Sequence, residues 1–269
     1  MDNLNEDFNV DFTENLNETK KQASGCLRRF SKSIKVVVIA FLILLLLIPM
    51  FMIEDMIRER GQIQTDAIEE VGQKWSLAQT ITGPYINLQY PITQEDNGVK
   101  KITMGSITLL PDELSIDGQL STEILQRGIY KVNVYQSELL IKGFFSSEEL
   151  RKSNVDMDVL QYNRAAVCLN LTDMRGLSEQ VSITLNDSVY TFEPGVDGRG
   201  IESMGVHAIV DLSSLKEDRK LPYEMKIKLK GSQSIYFTPL GKTTKVNLKA
   251  NWNTPSFDGN YLPEKREIT

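Results

Sequence analysis

A chain of 269 residues is long enough to bury a substantial core without disulfides or metal ions. Its net charge of -6 argues against nucleic acid as a partner, because a phosphate-binding surface needs clustered Lys and Arg side chains. The two cysteines, Cys26 and Cys168, are too few and too far apart for a disulfide framework or a cysteine-based metal site.

The N-terminal part of the chain predicts a tail followed by a membrane helix. Residues 1–19 hold six acids, many Asn and no base, so residues 1–33 are expected to be a disordered tail. Residues 34–53 read "IKVVVIAFLILLLLIPMFMI", which gives eighteen uncharged residues after Lys35. About twenty apolar residues in a helix span a bilayer core of roughly 30 Å. Glu54-Asp55-Met56 follows instead of the small-residue cleavage site of a secretory signal, so we expect an uncleaved transmembrane helix.

Charges on the two sides of this span predict its orientation. Residues 20–35 carry six bases and no acid, whereas residues 54–70 carry six acids and two bases. The positive-inside rule therefore places the N-terminus in the cytoplasm and residues 54–269 on the other side of the membrane. The lipid bilayer is then the first expected partner of the chain.

Residues 54–82 are predicted to form a stalk helix. An apolar stripe recurs there at every fourth position, at Ile63, Ala67, Val71 and Trp75. Such a stripe is typical of an amphipathic helix, and we expect it to pack on the domain's own sheet rather than to dock a partner. Gly83-Pro84 is expected to end the helix, and the alternation over residues 85–90 predicts a strand.

Residues 83–269 are predicted to form a mainly β domain that resembles a sandwich. Strands are expected on both sides of Pro111-Asp112 and over residues 128–145, with a short helix at 146–151. Residues 181–195 and 226–241 share one order of features, namely a strand, a polar turn, a strand with Tyr, and Phe-x-Pro before a Gly. This order suggests a duplicated hairpin unit, with the alternative that any two hairpins look alike.

Few residues in the sequence could support catalysis. His207 is the only histidine, whereas a zinc site or a serine triad needs further ligands or a placed nucleophile. Ser203 and Asp211 are near in sequence, and a strand over 206–210 would put Asp211 on the same face as His207. We nevertheless expect His207 to be a structural residue that forms hydrogen bonds. The sequence has no phosphate loop, nucleophile elbow or zincin motif, so we expect no enzyme activity, metal or cofactor.

Several ordered motifs carry a family resemblance. They read "LTDMRG" (171–176), "GVHA" (205–208), "IYFTPLGKTTKVNLKANW" (235–252) and "PSFDGNYLP" (255–263). With Arg58 to Gly61 and Gly83-Pro84, they resemble the CreD family of inner-membrane proteins over residues 34–269. The resemblance implies the bacterial inner membrane, a periplasmic domain, and a role in cell-envelope integrity and colicin tolerance. It carries no catalytic residue. It also implies a domain that is incomplete at Thr269 and further membrane helices beyond it.

The first motif has a structural interpretation. Asp173, Arg175 and Gly176 predict a turn in which the carboxylate accepts backbone hydrogen bonds and the arginine pairs with an acid. The glycine would supply a conformation that other residues resist. A recognition site built on Arg175 is the alternative.

The closing segment contains further candidate residues. Trp252, Phe257 and Tyr261 are expected to pack this segment onto the sandwich, with Pro255 and Ser256 in the turn between them. If these aromatic side chains were exposed, they would instead indicate a protein-binding face. The final residues "PEKREIT" predict a strand.

From these observations we expect a membrane-anchored, non-catalytic periplasmic domain that supports envelope integrity through contacts with other envelope proteins. Two alternatives stay open. A deep pocket with convergent polar groups would favour a sensor of envelope stress or of a ligand. A cleft that holds His207 with an activated serine or paired carboxylates would favour a membrane-anchored cell-wall hydrolase.

Overall fold

The chain divides into two units, Met1–Gln64 and Thr65–Thr269. The computed structural model describes residues 3–96, 99–196, 204–217, 220–252 and 255–261. The first unit is helical, and the second contains two β-sheets. The predicted strand at residues 263–269 and the residue Ser203 lie outside the described part of the chain.

Helix α1 spans Asn3–Lys74 and so runs through the first unit into the second. Its part from Ile34 onward is long and apolar enough, by length and composition, to cross a membrane. The large apolar side chains of residues 34–53 are exposed, as lipid-facing side chains would be. The backbone of residues 3–33 is also helical, which differs from the predicted disordered tail. An existing helix extends at low cost, because each added residue gains a backbone hydrogen bond.

The described residues of the second unit after α1 form strands, one short α-helix and four 3-10 helices. The strands are β1 Gln79–Asp96, β2 Val99–Leu109, β3 Glu113–Arg127, β4 Tyr130–Phe145, β5 Ala165–Leu171, β6 Ser182–Leu185, β7 Ser188–Thr191, β8 Glu193–Pro194, β9 Gly205–Val210, β10 Leu221–Ser232, β11 Ile235–Phe237 and β12 Thr243–Ala250. The helices are α2 Glu148–Lys152 and the 3-10 helices Met157–Val159, Tyr162–Arg164, Met174–Gly176 and Ser213–Glu217.

The strands form two sheets of six. In sheet A the order is β11-β1-β5-β9-β8, and β2 also pairs with β1. In sheet B the order is β12-β3-β4-β10-β6-β7. Neighbouring strands are antiparallel except for β1 with β11 and β3 with β12, which are parallel. This architecture confirms the prediction of a mainly β, sandwich-like fold.

One hydrophobic core joins the two sheets. Alternation along β10 shows how the sequence produces it, because Tyr223, Met225 and Ile227 are buried whereas Lys226 and Lys228 are exposed. Sheet A contributes the inward side chains of β1, β5 and β9 to the same cluster. Strand β5 is buried at every residue, so its outward side chains are covered as well. It is therefore the most enclosed of the described strands.

The helix boundary differs from the prediction. Helix α1 ends at Lys74, whereas the stalk helix was expected to reach residue 82. Gly83-Pro84 does not end a helix but lies within β1, where the pairing with β5 shifts register. Gly83 has a φ of 132°, and a Cβ atom there would lie 2.9 Å from the carbonyl oxygen of Cys168. Glycine is needed at this bulge because a side chain would meet the backbone of β5.

Of the two segments in the predicted duplication, only one forms a hairpin in the described structure. Residues 181–195 contain the hairpin β6–β7, as expected. Residues 226–241 do not form a hairpin, because β10 lies in sheet B and β11 pairs with β1 in sheet A. One edge of β10 is paired with β4 along its whole length, and the other carries β6 at residues 223–226 and Leu177 opposite Leu229. β11 pairs with β1 instead. Gln233, with a φ of 62°, lies at the bend between β10 and β11.

Candidate functional site: the helix junction

The last turns of α1 pack on the outer face of sheet B. Val71 forms a small apolar cluster with Val132 and Val134 of β4. Ile68, Trp75 and Leu125 pack against this cluster. The apolar stripe therefore contacts the domain's own sheet in its C-terminal half, while Ile63 is 45% exposed.

The Asp173 carboxylate binds the chain where α1 ends. It accepts hydrogen bonds from the backbone N–H of Leu77 at 3.0 Å and from Ser76 Oγ at 3.2 Å. It also accepts from the backbone N–H of Arg175 at 3.0 Å, which caps the 3-10 helix Met174–Gly176. The side chain of Asp173 is 8% exposed, so these bonds form largely out of water. A single carboxylate thus connects the loop after β5 to the chain between α1 and β1.

Arg175 adds a charged partner and reaches the helix itself. Its Nη2 lies 2.8 Å from Asp173 Oδ2, and its Nε donates to Asp173 Oδ1 at 2.9 Å. Its Nη1 donates to the carbonyl oxygen of Gln73 at 2.7 Å. The last carbonyls of a helix have no partner within the helix, and a cation there is favoured by the helix dipole. Arg175 therefore binds the C-terminal end of α1 and also neutralises the charge of Asp173.

Gln79 and Gly176 complete this site. Gln79 Nε2 donates to Ser76 Oγ at 2.7 Å and to the carbonyl oxygen of Asp173 at 2.9 Å. A Cβ atom on Gly176 would lie 2.4 Å from the carbonyl oxygen of Lys230 and 2.6 Å from Gln79 Nε2. Glycine is required at position 176 because sheet B approaches the loop closely there. We call the set Gln73, Ser76, Leu77, Gln79, Asp173, Arg175 and Gly176 the helix junction.

The electrostatics of the helix junction follow from these contacts. Burial acts to raise the pKa of Asp173, but the hydrogen bonds from Arg175 and Leu77 outweigh it and lower the pKa to about 2. The same pair raises the pKa of Arg175. Asp173 is therefore ionised in the folded protein at neutral pH, and its carboxylate accepts from three residues, Ser76, Leu77 and Arg175, on two chain segments. Such a carboxylate is suited to holding elements together.

A second ion pair lies beside the helix junction. Arg127, the last residue of β3, donates from Nε to Glu70 Oε2 at 2.8 Å and also contacts Oε1 through Nη2. Lys74 binds the same carboxylate at 2.9 Å. Hydrogen bonds from Lys74 and Arg127 lower the pKa of Glu70. Both partners are well exposed, so the pair sets the position of α1 more than it adds stability.

His207 lies apart from the helix junction, on β9. Its Nδ1 is 2.7 Å from the carbonyl oxygen of Gly195, so this nitrogen carries the proton and donates. Asp211 does not pair with His207 but accepts from the backbone N–H of Ser213 at 2.9 Å and from its Oγ. Across the strands, His207 is opposite Cys168, whose side chain is fully buried. These contacts favour a structural role for His207, which stays a prediction.

The closing segment differs from the expectation that its aromatic residues pack on the sandwich. Trp252 is partly buried, but Phe257 is 41% exposed and Tyr261 is 80% exposed. Pro255 and Ser256 are exposed as well. The chain is bound to β3 just before this segment, because Asn251 Oδ1 accepts a hydrogen bond from the backbone N–H of Thr122 at 2.7 Å. The predicted site residues therefore fall in three places, the helix junction, β9 and the segment after β12.

Sequence reasoning identified Asp173, Arg175 and Gly176 but missed their partners. Ser76 and Gln79 belong to the stretch that was assigned to the stalk helix, and both are fully buried. A polar pair directly after a helix is a signal for a buried hydrogen-bond network, but only the structure shows that Asp173 meets it. Within the described residues, no group of three or more His, Cys, Asp or Glu side chains could hold a metal ion.

Comparison with known proteins decides the family. The sequence profile described as "Inner membrane protein CreD" matches residues 31–269. The chain belongs to the CreD family. The protein described as Inner membrane protein CreD from Escherichia coli (strain K12) is 30% identical over 233 residues, which cover 84% of this chain and 50% of that protein. The chain thus spans about half the length of this CreD relative. No solved structure matches it.

Membership of the CreD family agrees with the apolar part of α1. An inner-membrane family and a helix from Ile34 that can span a bilayer give the same localisation, the inner membrane. The match begins at residue 31, directly before this segment. The helix junction, β9 and the segment after β12 all lie inside the matched range.

Proposed function

We propose that this CreD-family protein supports cell-envelope integrity through a non-catalytic periplasmic domain that binds other envelope proteins. The observation that carries the proposal is the helix junction. Its ionised side chains are bonded to the end of α1 and to the loop after β5, so they fasten the β domain to the helix that continues from the membrane segment. This use of charge supports a structural role for these side chains in an anchored domain.

The geometry around His207 supports the same proposal. A general base needs a nitrogen within hydrogen-bond reach of a nucleophile, and its other nitrogen is then oriented by an acid. The Nδ1 of His207 is bound to a backbone carbonyl, and the nearby Asp211 is bound to Ser213. The contact between β9 and Gly195 supports a structural role for this histidine.

Complementation tests the non-catalytic part of this proposal. The natural full-length protein is expressed in a strain that lacks its gene, and survival under envelope stress is measured at matched abundance. His207→Gln should retain function, because a neutral amide N–H can replace the imidazole donor to Gly195. Loss of function with normal abundance and folding would favour the hydrolase alternative, and substitutions of nearby serines and carboxylates would follow.

Photo-crosslinking tests the protein-binding part. A photoreactive residue is placed at Phe257 or Tyr261, whose exposed aromatic rings suit a protein-binding face. The control position is Val189, which is 67% exposed on the β6–β7 hairpin. We expect adducts with a defined envelope protein at the aromatic positions only. Equal labelling at Val189, or labelling by lipid alone, would contradict the proposal.

A further inference from the structure

Strand β12 forms one edge of sheet B. Within the described residues it pairs only with β3, in parallel, so its other side is open. The backbone N–H of Thr243 donates to the carbonyl oxygen of Asp112 at 3.0 Å, which fixes which residues of β12 turn toward β3. Backbone groups of alternate residues point to opposite sides of a strand in a parallel pair, so those of Thr244, Val246 and Leu248 point to the open side. An open row of this kind is a template for a further strand.

The core side of β12 is apolar and incompletely covered. Val246 and Leu248 lie opposite Ile116 and Gly118 of β3. Ile116 is 1% exposed, whereas Val246 is 38% exposed and Leu248 is 40% exposed. A Cβ atom on Gly118 would lie 2.8 Å from Leu248 Cδ2, so this leucine packs over the glycine. A further strand with apolar residues on this side would cover both side chains and extend the core.

The solvent side of β12 is basic. Lys245 and Lys249 are both exposed, and Asn247 lies between them on the same side of the strand. Asn247 Nδ2 donates to Asp117 Oδ1 at 3.0 Å, so the acid on the neighbouring strand already has a partner. Neither lysine forms an ion pair with a described residue. Opposite charges directly across two strands stabilise their pairing, so an acidic residue fits opposite each lysine.

The same lysines disfavour a second copy of β12 as the partner. Antiparallel pairing centred on Asn247 would place Lys245 of one copy opposite Lys249 of the other. Parallel pairing in register would place each lysine opposite its own counterpart. Like charges directly opposite each other destabilise a strand pair, and lysines on edge strands limit self-association in this way. The edge therefore favours a strand of different composition.

We propose that β12 binds an extended segment of another envelope protein as the next strand of sheet B. The residues of that segment opposite Lys245 and Lys249 are acidic, and those opposite Val246 and Leu248 are apolar. The order acidic, apolar, polar, apolar, acidic reads the same in both directions, so a parallel and an antiparallel strand both satisfy it. This inference rests on the proposed protein-binding function and adds the chemistry of the partner.

Hydrogen exchange on the 269-residue chain in lipid nanodiscs tests this proposal with defined peptides. The probe is a capped peptide that reads Thr-Glu-Val-Thr-Val-Glu-Thr, added in millimolar excess. Its neutral counterpart has Gln in place of both Glu residues, and a third peptide has Pro at the central position, which disrupts strand pairing. Exchange is measured at the amides of Thr244, Val246 and Leu248. The amide of Ile227, a buried residue of β10, reports whether the domain as a whole stays folded.

The acidic peptide should slow exchange at the three edge amides without changing exchange at Ile227. Two opposite-charge pairs across the strands correspond to an affinity about 2- to 30-fold higher than that of the neutral peptide. The Pro peptide should give no protection. Lys245→Glu combined with Lys249→Glu should reverse the order of the acidic and neutral peptides. The matched control is Lys142→Glu combined with Lys226→Glu, which makes the same change of charge at exposed positions in the middle of sheet B.

Three outcomes would overturn the proposal. The first is equal binding of the acidic and neutral peptides, or equal protection of β2, the other long strand that pairs on one side only among the described residues. The second is a preference for the acidic peptide that the variant of β12 keeps or that the control variant loses. The third is slow exchange at the edge amides before any peptide is added, because the edge is then already paired, within the chain or with a second copy.

This inference and the proposed function can fail separately. Adducts with an envelope protein at Phe257 or Tyr261, together with any of those three outcomes, would leave the protein-binding function standing and remove β12 from its binding site. Selective binding of the acidic peptide without adducts at Phe257 or Tyr261 would leave the strand-binding edge standing and contradict the aromatic binding face.

Discussion

Replacing Asp173 by asparagine should weaken the helix junction while keeping its shape. Asparagine retains one acceptor oxygen, but its amide group then faces the donors of Arg175 and Leu77. Breaking a buried ion pair costs about 3 to 5 kcal/mol, whereas an exposed pair contributes about 0 to 1 kcal/mol. The Asp173 side chain is 8% exposed and that of Arg175 is 51% exposed, so an intermediate loss applies. We expect the free energy of unfolding to fall by about 2 kcal/mol.

Denaturant unfolding of the full chain in detergent micelles measures this change, with fluorescence of Trp75 as a probe close to the junction. Hydrogen exchange at the amides of Leu77 and Arg175 gives a local readout, because both donate to the Asp173 carboxylate. A loss of 2 kcal/mol corresponds to exchange about 30-fold faster when opening limits it. The control is Asp187→Asn, since Asp187 is exposed in the β6–β7 turn.

Acid titration gives a second test of the same reasoning. The folded-state pKa of about 2 lies below the usual value of 3.8, so the unfolded chain binds the proton more readily. The stabilisation is therefore complete above about pH 4 and is lost as the pH falls toward 2. The shift corresponds to about 2 kcal/mol, and solvent screening of the exposed Arg175 reduces it to about 1 kcal/mol. Asp173→Asn should lose less stability than the wild type over this range.

A particular result would refute this account of the helix junction. If Asp173→Asn and Asp187→Asn both changed the unfolding free energy by less than about 0.5 kcal/mol, Asp173 would behave as an ordinary surface residue. Unchanged exchange at Leu77 would lead to the same conclusion. Asp173→Asn could also keep the unfolding free energy of the wild type while hydrogen exchange at Leu77 and Arg175 becomes faster. In that case the helix junction would stabilise only the end of α1.

Two further predictions concern packing and topology. Gly176→Ala should lower the unfolding free energy by about 2 kcal/mol, because its Cβ would meet backbone and side-chain atoms within 3 Å. Gly61→Ala has nothing within 4 Å and should be neutral or slightly stabilising, and an equal loss in both variants would contradict the packing argument. For topology, an impermeant thiol reagent should label Val189→Cys in cells with a permeable outer membrane but not Cys26, since the basic residues lie before Ile34. Labelling of Cys26 with protection of Val189→Cys would reverse the orientation; Cys168 is too buried to report.

Local patterns in the sequence predicted the elements well. Apolar residues at alternate positions of β4 and β10 face the core because strand geometry turns every second side chain inward. The turn at Asp173 was also readable, since a carboxylate two residues before a donor forms such turns regardless of the fold. These predictions needed only neighbouring residues, and the tertiary contacts of the described residues agree with them.

Predictions that required distant partners failed or stayed incomplete. Asp173 meets Ser76 across 97 residues, which no local pattern contains. Residues 226–241 resembled a hairpin, but β10 pairs with β4 on one edge and with β6 and Leu177 on the other, and β11 pairs with β1. Tyr261 was expected to be buried from its size alone, whereas burial depends on whether a surface is available to cover it. The envelope role and the orientation of the membrane helix stay predictions, because both depend on the membrane and on partners outside this chain.

The two parallel strand pairs have a consequence for biosynthesis. Strand β11 reaches β1 in the region where the hydroxyls of Thr82 and Thr238 lie 2.7 Å apart across 156 residues, and β12 reaches β3 where Asn247 binds Asp117 across 130 residues. Contacts between such distant positions form late and slowly, since a long loop must close before they stabilise anything. While the chain is being made, the edges of β1 and β3 that β11 and β12 will cover therefore stay open until residue 250 has emerged. A chaperone that covers strand edges should matter most during that interval, when these edges would otherwise pair with other chains.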